Sequence, residues 1–197
     1  MESEVKVVNI MRVGKLDMSI PLEECHRNIP SKLYTGRPEM LLILMSNGRN
    51  VQLFRQGTIQ ILGAISDQEA HEMLSECLQL LRQVRKMRTC ALSMQLTIKN
   101  LVLKFHFKTT IYLNRIQSSN HKICYDATVF PAAMVTKWSP AHVSIFPDGK
   151  VILTGVKTLD AALSILTDLR DYCMPLIIKR EEYDIRKATF APEFSPS

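Results

Sequence analysis

The sequence lacks the features that mark membrane and secreted proteins. No stretch approaches the ~18 consecutive apolar residues that a membrane-spanning helix needs, although apolar residues make up 46% of the chain. The first residues, Met1-Glu2-Ser3-Glu4, lack the basic-then-apolar order of a secretory signal. We therefore expect a protein of the cell interior that has no membrane as a partner.

Cysteine pairs are missing as well. The five cysteines are scattered, odd in number and without a C-x-x-C pair, whereas disulfide frameworks and zinc sites need paired or closely spaced cysteines. We interpret them as free thiols, most of them buried. They are Cys25, Cys77, Cys90, Cys124 and Cys173.

Motifs of catalysis and of cofactor binding are also absent from the sequence. There is no P-loop and no G-x-G-x-x-G segment, and the histidines show no metal-ligand spacing. Cys25-His26 pairs a nucleophile with a base, but neighbours on a helix point apart. We predict no catalytic residue, no metal site, no cofactor and no small-molecule substrate.

The charge balance is basic, with 25 lysines and arginines against 19 acidic residues and a net charge of +6. Such a surplus suits a polyanionic partner such as nucleic acid. A solvated basic surface on an ordinary protein has the same balance, so charge alone leaves both interpretations open.

An internal repeat organises the chain. Residues 51–59 (V-Q-L-F-R-Q-G-T-I) return at 143–151 as V-S-I-F-P-D-G-K-V, an offset of 92 residues. Upstream, residues 8–11 (V-N-I-M) fall on residues 99–102 (K-N-L-V) at an offset of 91. Self-similarity of this kind predicts two copies of one unit. We place them at 1–92 and 93–179, followed by a tail at 180–197 that we expect to be mobile.

The residue pattern of each copy predicts several β-strands followed by one helix. Strands are expected at 5–13, 40–45, 51–54 and 58–62 in the first copy, and at 94–107 in the second. Asp17 is expected to cap a short helix over 21–26, and Ser66 with Glu69 predicts a capping box. Asp160 precedes the closing helix of the second copy. The predicted apolar helix faces comprise Ala70, Met73, Leu74, Cys77, Leu78 and Leu81 in the first copy, and Ala162, Leu163, Leu166, Leu169 and Tyr172 in the second.

This order of elements predicts an α+β fold with an antiparallel sheet and helices on one face. Two tandem units can join edge to edge into one curved sheet, with the helices on its convex side. Strand alternation sets Ser144 and Phe146 on the face opposite Val143 and Ile145. An uncovered, partly apolar sheet face is a binding surface.

The motifs resemble those of the TATA-binding protein family. Residues 144–157 are similar to the family segment I-F-x-x-G-K-V-x-L-T-G-A-K, residues 98–102 to I-Q-N-M-V, and residues 125–131 to Y-E-P-E-L-F-P. In the first copy, residues 8–10 and 15–17 match the opening strand and the start of the first helix. The resemblance implies the family's saddle-shaped fold and its activity, which is to bend DNA from the minor groove. The TATA-binding protein is itself the usual example of that mechanism.

The resemblance also implies a set of DNA-binding positions. Phe130 and Phe146 match the wedges of the second copy that unstack a base step, and Phe54 matches one wedge of the first. Asn9 and Asn100 match paired asparagines whose amides can donate to adenine N3 or thymine O2. Groove-facing or phosphate-contacting matches are Val102, Lys150, Ile152, Thr154 and Lys157. Without the resemblance, the phenylalanines would be taken as core residues and the asparagines as strand-pairing residues.

The first copy departs from the family pattern. Thr58, Leu62 and Ile65 stand where the second copy has two lysines and a threonine, and Gln60 replaces an apolar position. No clear phenylalanine supplies its other wedge. Residues 34–36 (Y-T-G) are a candidate substitute, which requires an insertion of a few residues before the next strand.

By this resemblance the chain is a nuclear transcription initiation factor that helps to assemble a preinitiation complex. Its implied partners are A·T-rich double-stranded DNA and the general transcription factors IIA and IIB, with Tyr125 and Asp126 as the implied contact for factor IIB. An interaction scaffold that kept the fold and lost DNA binding is the alternative, which Gln60, Leu62 and Ile65 favour.

Overall fold

The structure, a computed structural model, describes residues 5–30, 33–36, 39–88, 94–113, 123–173 and 177–178. The predicted C-terminal tail lies outside these ranges. Within them the chain divides into two compact units, one spanning Val7–Leu101 and the other comprising residues 5–6 and the described residues from Val102 onward. The boundary falls within the strand Thr97–His106, which is described below with the second unit. No helix in the described ranges is long and apolar enough to cross a membrane.

The first unit combines a five-stranded sheet with two helices. Its elements are β1 (Lys6–Lys15), α1 (Leu22–Asn28), β2 (Leu33–Gly36), β3 (Glu39–Leu44), β4 (Asn50–Phe54), β5 (Thr58–Leu62) and α2 (Asp67–Gln83), followed by a 3-10 turn at Arg85–Met87. The strands lie in the order β2-β3-β4-β5-β1, and each pair is antiparallel. The predicted strands of this copy are confirmed to within two residues.

The second unit repeats the arrangement. Its elements are β6 (Thr97–His106), β7 (Thr110–Ile111), β8 (Ile123–Cys124), β9 (Ala133–Val135), β10 (His142–Ile145), β11 (Lys150–Val156), α3 (Leu159–Cys173) and β12 (Ile177–Ile178). The strand order is β6-β11-β10-β9-β8, and β12 pairs with β7 in a small separate sheet.

Strand alternation builds the core of the first unit. Val51, Leu53, Ile59 and Ile61 are fully buried, while the residues between them on β4 and β5 are partly exposed. The buried face of the sheet packs against α1 and α2. The side chains that alternate along each strand there contact the apolar side chains that recur about every 3.6 residues along the helices. The predicted face of α2 is confirmed, since Ala70, Met73, Leu74, Cys77 and Leu81 are buried and Leu78 packs against the core.

The core of the second unit follows the same rule with one exception. Val143, Ile145, Val151 and Leu153 are buried, as are Ala162, Leu166 and Leu169 of α3. Leu163, which the sequence assigned to the buried face of α3, is 42% exposed. It follows the buried Ala162 directly, and the helix turns about 100° per residue, so it points away from the sheet.

The helix caps match the sequence expectation in α2 only. Ser66 Oγ accepts a hydrogen bond from the Glu69 backbone N–H at 3.1 Å, as predicted. The predicted Asp17 cap is wrong: α1 begins after Pro21, with no side-chain cap. The Ile20 N–H donates to the Arg55 carbonyl at 2.8 Å, which holds the segment between Asp17 and α1 along the sheet.

The N-terminus of α3 also differs from the expectation. Thr158 Oγ1 accepts a hydrogen bond from the Ala161 N–H at 3.2 Å. Asp160 lies inside the first turn, where its negative charge favours the helix N-terminus.

One glycine in each unit fixes a hairpin. Gly57 and Gly149 have φ of +89° and +88°, and their N–H groups donate to the carbonyls of Phe54 and Phe146, each at 3.0 Å. A Cβ on Gly57 would lie 2.4 Å from the Met18 carbonyl oxygen, and one on Gly149 would lie 2.2 Å from a Thr109 backbone oxygen. Only glycine satisfies both the left-handed backbone and the close approach.

The cysteine thiols whose surroundings are described follow the sequence interpretation in part. Cys25 and Cys77 are buried free thiols, and burial raises the pKa of each to about 12. They are therefore poor nucleophiles at neutral pH. Cys124 is a free but exposed thiol on β8.

An ion cluster ties α1 to the end of the first unit's sheet. The guanidinium of Arg55 donates to both carboxylate oxygens of Glu39 on β3 and to Glu23 on α1. The hydrogen bond from Arg55 lowers the pKa of Glu39 below its ordinary value of 4.5. The pKa of Glu23 is lowered first by a backbone hydrogen bond and then by Arg55. The cluster is partly solvated, which limits its contribution to stability.

The glycine turn yields a stability prediction. Gly57→Ala should destabilise the protein more than Gly48→Ala, measured as the shift in unfolding midpoint. Gly48 also has a positive φ, of +78°, but no atom lies within 4 Å of its would-be Cβ. The left-handed backbone costs alanine roughly 1–2 kcal/mol at either site, and the clash with the Met18 and Leu16 carbonyls adds to it at Gly57 alone. Equal midpoint shifts for the two variants would contradict the steric argument.

The ion cluster yields a pH prediction. The lowered pKa of Glu39 means that its charge contributes stability above a pH of about 4.5, and this contribution is lost as pH falls through the lower folded pKa. Glu39→Gln should therefore lower the denaturant midpoint at neutral pH, and the gap to wild type should shrink at a pH of about 3. Glu72→Gln, on the exposed side of α2, is the control. A gap that persists unchanged at acid pH would contradict the assignment.

Candidate nucleic-acid interface

The first unit has a sheet face opposite its helices that is partly exposed. Cross-strand partners share a face, so the register identifies its members. One row runs through Val13, Gln60, Gln52, Leu42 and Leu33, and a second through Met11, Leu62, Asn50 and Leu44. We call this surface the open face of the unit. The open face carries both apolar and amide side chains. A surface that contacts nucleic acid needs both, because polar base edges alternate there with less polar sugars.

The predicted asparagines lie on this kind of face. Asn9 alternates with the buried Ile10, and Asn100 alternates with the buried Leu101, so each amide points away from the core. The Asn9 Oδ1 is buried and finds no hydrogen-bond donor among the described residues. The described fold therefore leaves the side-chain oxygen of Asn9 unsatisfied. Leaving a buried acceptor unpaired costs on the order of 1–3 kcal/mol.

The open face of the second unit holds the other groove-facing candidates. Ser144 pairs with both Ile152 and Met134, and His142 pairs with Thr154. Val102 alternates with the buried Leu101 and Leu103 on β6. The predicted orientation of Val102, Ile152 and Thr154 away from the core is therefore confirmed by the burial pattern.

An aromatic pair with a lysine lies at the end of the β10–β11 hairpin. The ring centroids of Phe130 and Phe146 are 6.1 Å apart with an interplanar angle of 62°, an edge-to-face contact. Lys150 Nζ lies 3.9 Å from the Phe146 ring centroid, within cation–π range. Phe130 is 42% exposed, whereas phenylalanine is among the residues most often buried in folded proteins. The two predicted wedges of the second copy are thus adjacent and partly exposed.

A tight turn holds Phe130 in place. The N–H groups of Val129 and Phe130 donate to the Asp126 carbonyl at 3.1 and 2.9 Å. Asp126 Oδ1 accepts from the Thr128 hydroxyl at 2.6 Å and from the Thr128 N–H at 2.9 Å. These bonds lower the pKa of Asp126. Asp126 therefore organises the turn, while Tyr125 beside it is partly exposed.

The first unit supplies only one of its predicted wedges. Phe54 is partly exposed and lies opposite Met40 on the open face. The suggestion of Tyr34 as the other wedge is wrong, because Tyr34 pairs with the fully buried Leu41 and so lies on the core face. Its ring stacks on His26, with centroids 5.3 Å apart.

The expected insertion before the next strand is also wrong. Leu33 pairs with Leu42 as Cys124 pairs with Met134. The two partners are therefore nine positions apart in the first unit and ten in the second. The connection between these two strands is one residue shorter in the first unit. The sequence argument missed Met40, which lies opposite Phe54 in the β3–β4 register.

The remaining differences change the chemistry of the first unit's open face. Gln60 and Leu62 lie on the open face in place of Ile152 and Thr154. Ile65 is 54% exposed at the position of Lys157, which is itself exposed. At the last of these positions the first unit therefore lacks the cation of the second.

Comparison with known proteins agrees with this architecture. The family model described as transcription factor TFIID (or TATA-binding protein) matches residues 4–84 and 95–171. The TATA-box-binding protein of Methanocaldococcus jannaschii is 24% identical over 178 residues, covering 87% of this chain and 94% of the relative. That of Methanococcus aeolicus is 24% identical over 186 residues, covering 93% and 99%.

A solved structure gives the same answer for the fold. The TATA-binding protein of Methanococcus jannaschii superposes with a TM-score of 0.70 at 24% identity, covering 85% of this chain and 97% of the other. The fold class predicted from the sequence is confirmed. Because the family model matches two stretches that together cover most of the chain, the chain belongs to the TATA-binding protein family.

Proposed function

We propose that this protein is a transcription initiation factor that binds A·T-rich double-stranded DNA in the minor groove and bends it. The observation that carries the proposal is the exposed Phe130–Phe146 pair with Lys150 beside it. Aromatic side chains that insert between base steps kink DNA toward the major groove. A lysine at the same point supplies a phosphate contact that holds the kinked backbone.

The open faces suit a minor groove. That groove offers mainly acceptors at A·T pairs, the N3 of adenine and the O2 of thymine, so sequence is read there by few hydrogen bonds. Amide N–H groups on Asn9 and Asn100 can donate to these acceptors. Val102, Ile152 and Thr154 present apolar atoms to the sugars and base edges. The guanine amino group of a G·C pair adds a donor to the floor of the groove, and it is the group that distinguishes G·C from A·T pairs there.

In this proposal the second repeat contributes more to DNA binding than the first. It carries both aromatic wedges, and it has Lys150 and Lys157 where the first repeat has Thr58 and Ile65. Each lysine that neutralises a phosphate releases condensed counterions and strengthens binding at low salt.

The proposal includes the partners and the place of action. The relatives are named for binding the TATA box, and we propose a related A·T-rich element for this chain. Factors IIA and IIB are the proposed protein partners, with the exposed Asp126 and the adjoining Tyr125 as the proposed contact for factor IIB. The proposed place of action is the nucleus, and the role is binding rather than catalysis.

One observation favours a second candidate, an interaction scaffold that binds no DNA. Gln60 lies on the open face where an apolar side chain would better fit the groove. The retained pair of wedges in the second repeat favours DNA binding over this alternative.

The wedge assignment predicts the effect of Phe146→Ala. The variant should keep its fold, because Phe146 is partly exposed, and should lose the kink at one base step. The bend of a bound A·T-rich duplex, measured by energy transfer between its labelled ends, should be smaller by about 20–90°. Leu159→Ala, an exposed apolar residue on α3, should bend DNA as wild type does. Wild-type bending by a folded Phe146→Ala protein would remove Phe146 from the wedge.

The phosphate assignment predicts the effect of Lys150→Ala. Binding to all duplexes should weaken, and the slope of log K against log salt concentration should fall by about one unit. Arg170→Ala, an exposed cation on α3, should leave the slope unchanged. An unchanged slope for Lys150→Ala would show that Lys150 contacts no phosphate.

A further inference from the structure

Met40 lies directly opposite Phe54 in the first repeat. The β3–β4 register pairs Met40 with Phe54 and Leu41 with Leu53. Since Leu41 and Leu53 are fully buried, alternation sends Met40 and Phe54 to the open face. Directly opposed residues have Cβ atoms about 4.5–5.5 Å apart, a separation that the length of a methionine side chain can span.

In the second repeat the residue opposite the phenylalanine is small, whereas in the first repeat it is large. Ala133 pairs with Ile145, and continuing that register by one residue sets Ala132 opposite Phe146. Ala132 has only a methyl group and is buried. The bulky neighbour of Phe146 is instead Phe130, two residues earlier. A large side chain thus neighbours the equivalent phenylalanines Phe54 and Phe146 in both repeats, but it comes from a different position of the chain in each.

The segment of the first repeat that corresponds to Phe130 has no aromatic residue. Residues 35–40 are Thr-Gly-Arg-Pro-Glu-Met. Glu39 lies on the core side, where Arg55 holds its carboxylate. Of the described residues in this segment, Met40 is the large apolar one on the open face.

Met40 is also not a residue of the core. The partly buried apolar residues that pack against the first unit's core are Met18, Tyr34, Leu78, Leu80, Met94 and Leu96. Met40 is not among them in the described ranges, although it is only partly exposed. Among the described residues of the neighbouring strand β4, the residue that Met40 faces is Phe54.

We propose that Met40 and Phe54 together form the wedge of the first repeat and open a second base step. This inference rests on the proposed function. Methionine is one of the apolar residues that proteins insert between base steps, and its flexible, polarisable side chain makes favourable contacts with aromatic rings. The first repeat has Thr58 where Lys150 lies over Phe146, so its wedge acts without a cation on its ring.

The test uses A·T-rich duplexes that carry 2-aminopurine at one base step each, since its fluorescence rises when the base unstacks. Phe54→Ala and Phe146→Ala first assign the responding probes to the two repeats. Met40→Ala should then lower the fluorescence of the Phe54 probe to the level of Phe54→Ala and leave the Phe146 probe unchanged. Met40→Leu, which keeps the volume, should retain the wild-type signal. Anisotropy measures binding separately in the same samples.

Leu163→Ala, an equally apolar loss on the exposed side of α3, should leave both probes at the wild-type level. A Met40→Ala protein that binds and leaves the Phe54 probe at the wild-type level would overturn the inference and spare the proposed function. The same holds if Phe54→Ala changes no probe while Phe146→Ala does. A folded wild-type chain that binds no duplex would overturn both.

Discussion

The left-handed glycine turn of each β-hairpin is the constraint on which the binding surface depends. Gly57 and Gly149 pack their backbones against carbonyl oxygens at distances that no side chain permits. Because the turn fixes the pairing of the strands that flank it, it also fixes which residues face the helices. A slip of one residue would send Phe54 and Phe146 into the core. The turn therefore sets the position of a phenylalanine at the end of each open face.

On this shared frame the two repeats carry different chemistry. The second repeat combines two phenylalanines and a lysine at its hairpin. At the corresponding end of the first repeat, Arg55 is held by carboxylates on the helix side of the sheet. The core faces tolerate little change because they are closely packed, whereas the open faces are free to diverge. The protein therefore retains the family fold while its two open faces differ in chemistry.

Local patterns were enough to predict most of the fold. The strand alternation and the apolar face of α2 depend on residues near one another in the chain, and the repeat depends on a direct comparison of two segments of the sequence; all three are confirmed. The Asp17 cap and the Tyr34 wedge were wrong because long-range contacts decide both: the Ile20 bond to Arg55 and the pairing of Tyr34 with Leu41. Periodicity shows that faces alternate, but it does not show which residue lies opposite which.

The candidate site was predictable to the extent that motifs carried it. Phe130, Phe146 and Lys150 were identified from the family segments, and the structure brings them together. Met40 carries no motif, and only the β3–β4 register shows that it lies opposite Phe54.

The most direct test of the account is the affinity of the folded chain for an A·T-rich duplex against a G·C-rich duplex of equal length across a salt series. The account predicts tighter A·T-rich binding at every salt concentration, with the difference persisting as the phosphate term is screened. Equal affinity for both duplexes would contradict recognition of A·T pairs in the minor groove. No binding by a chain shown to be folded would contradict DNA binding altogether and favour the scaffold.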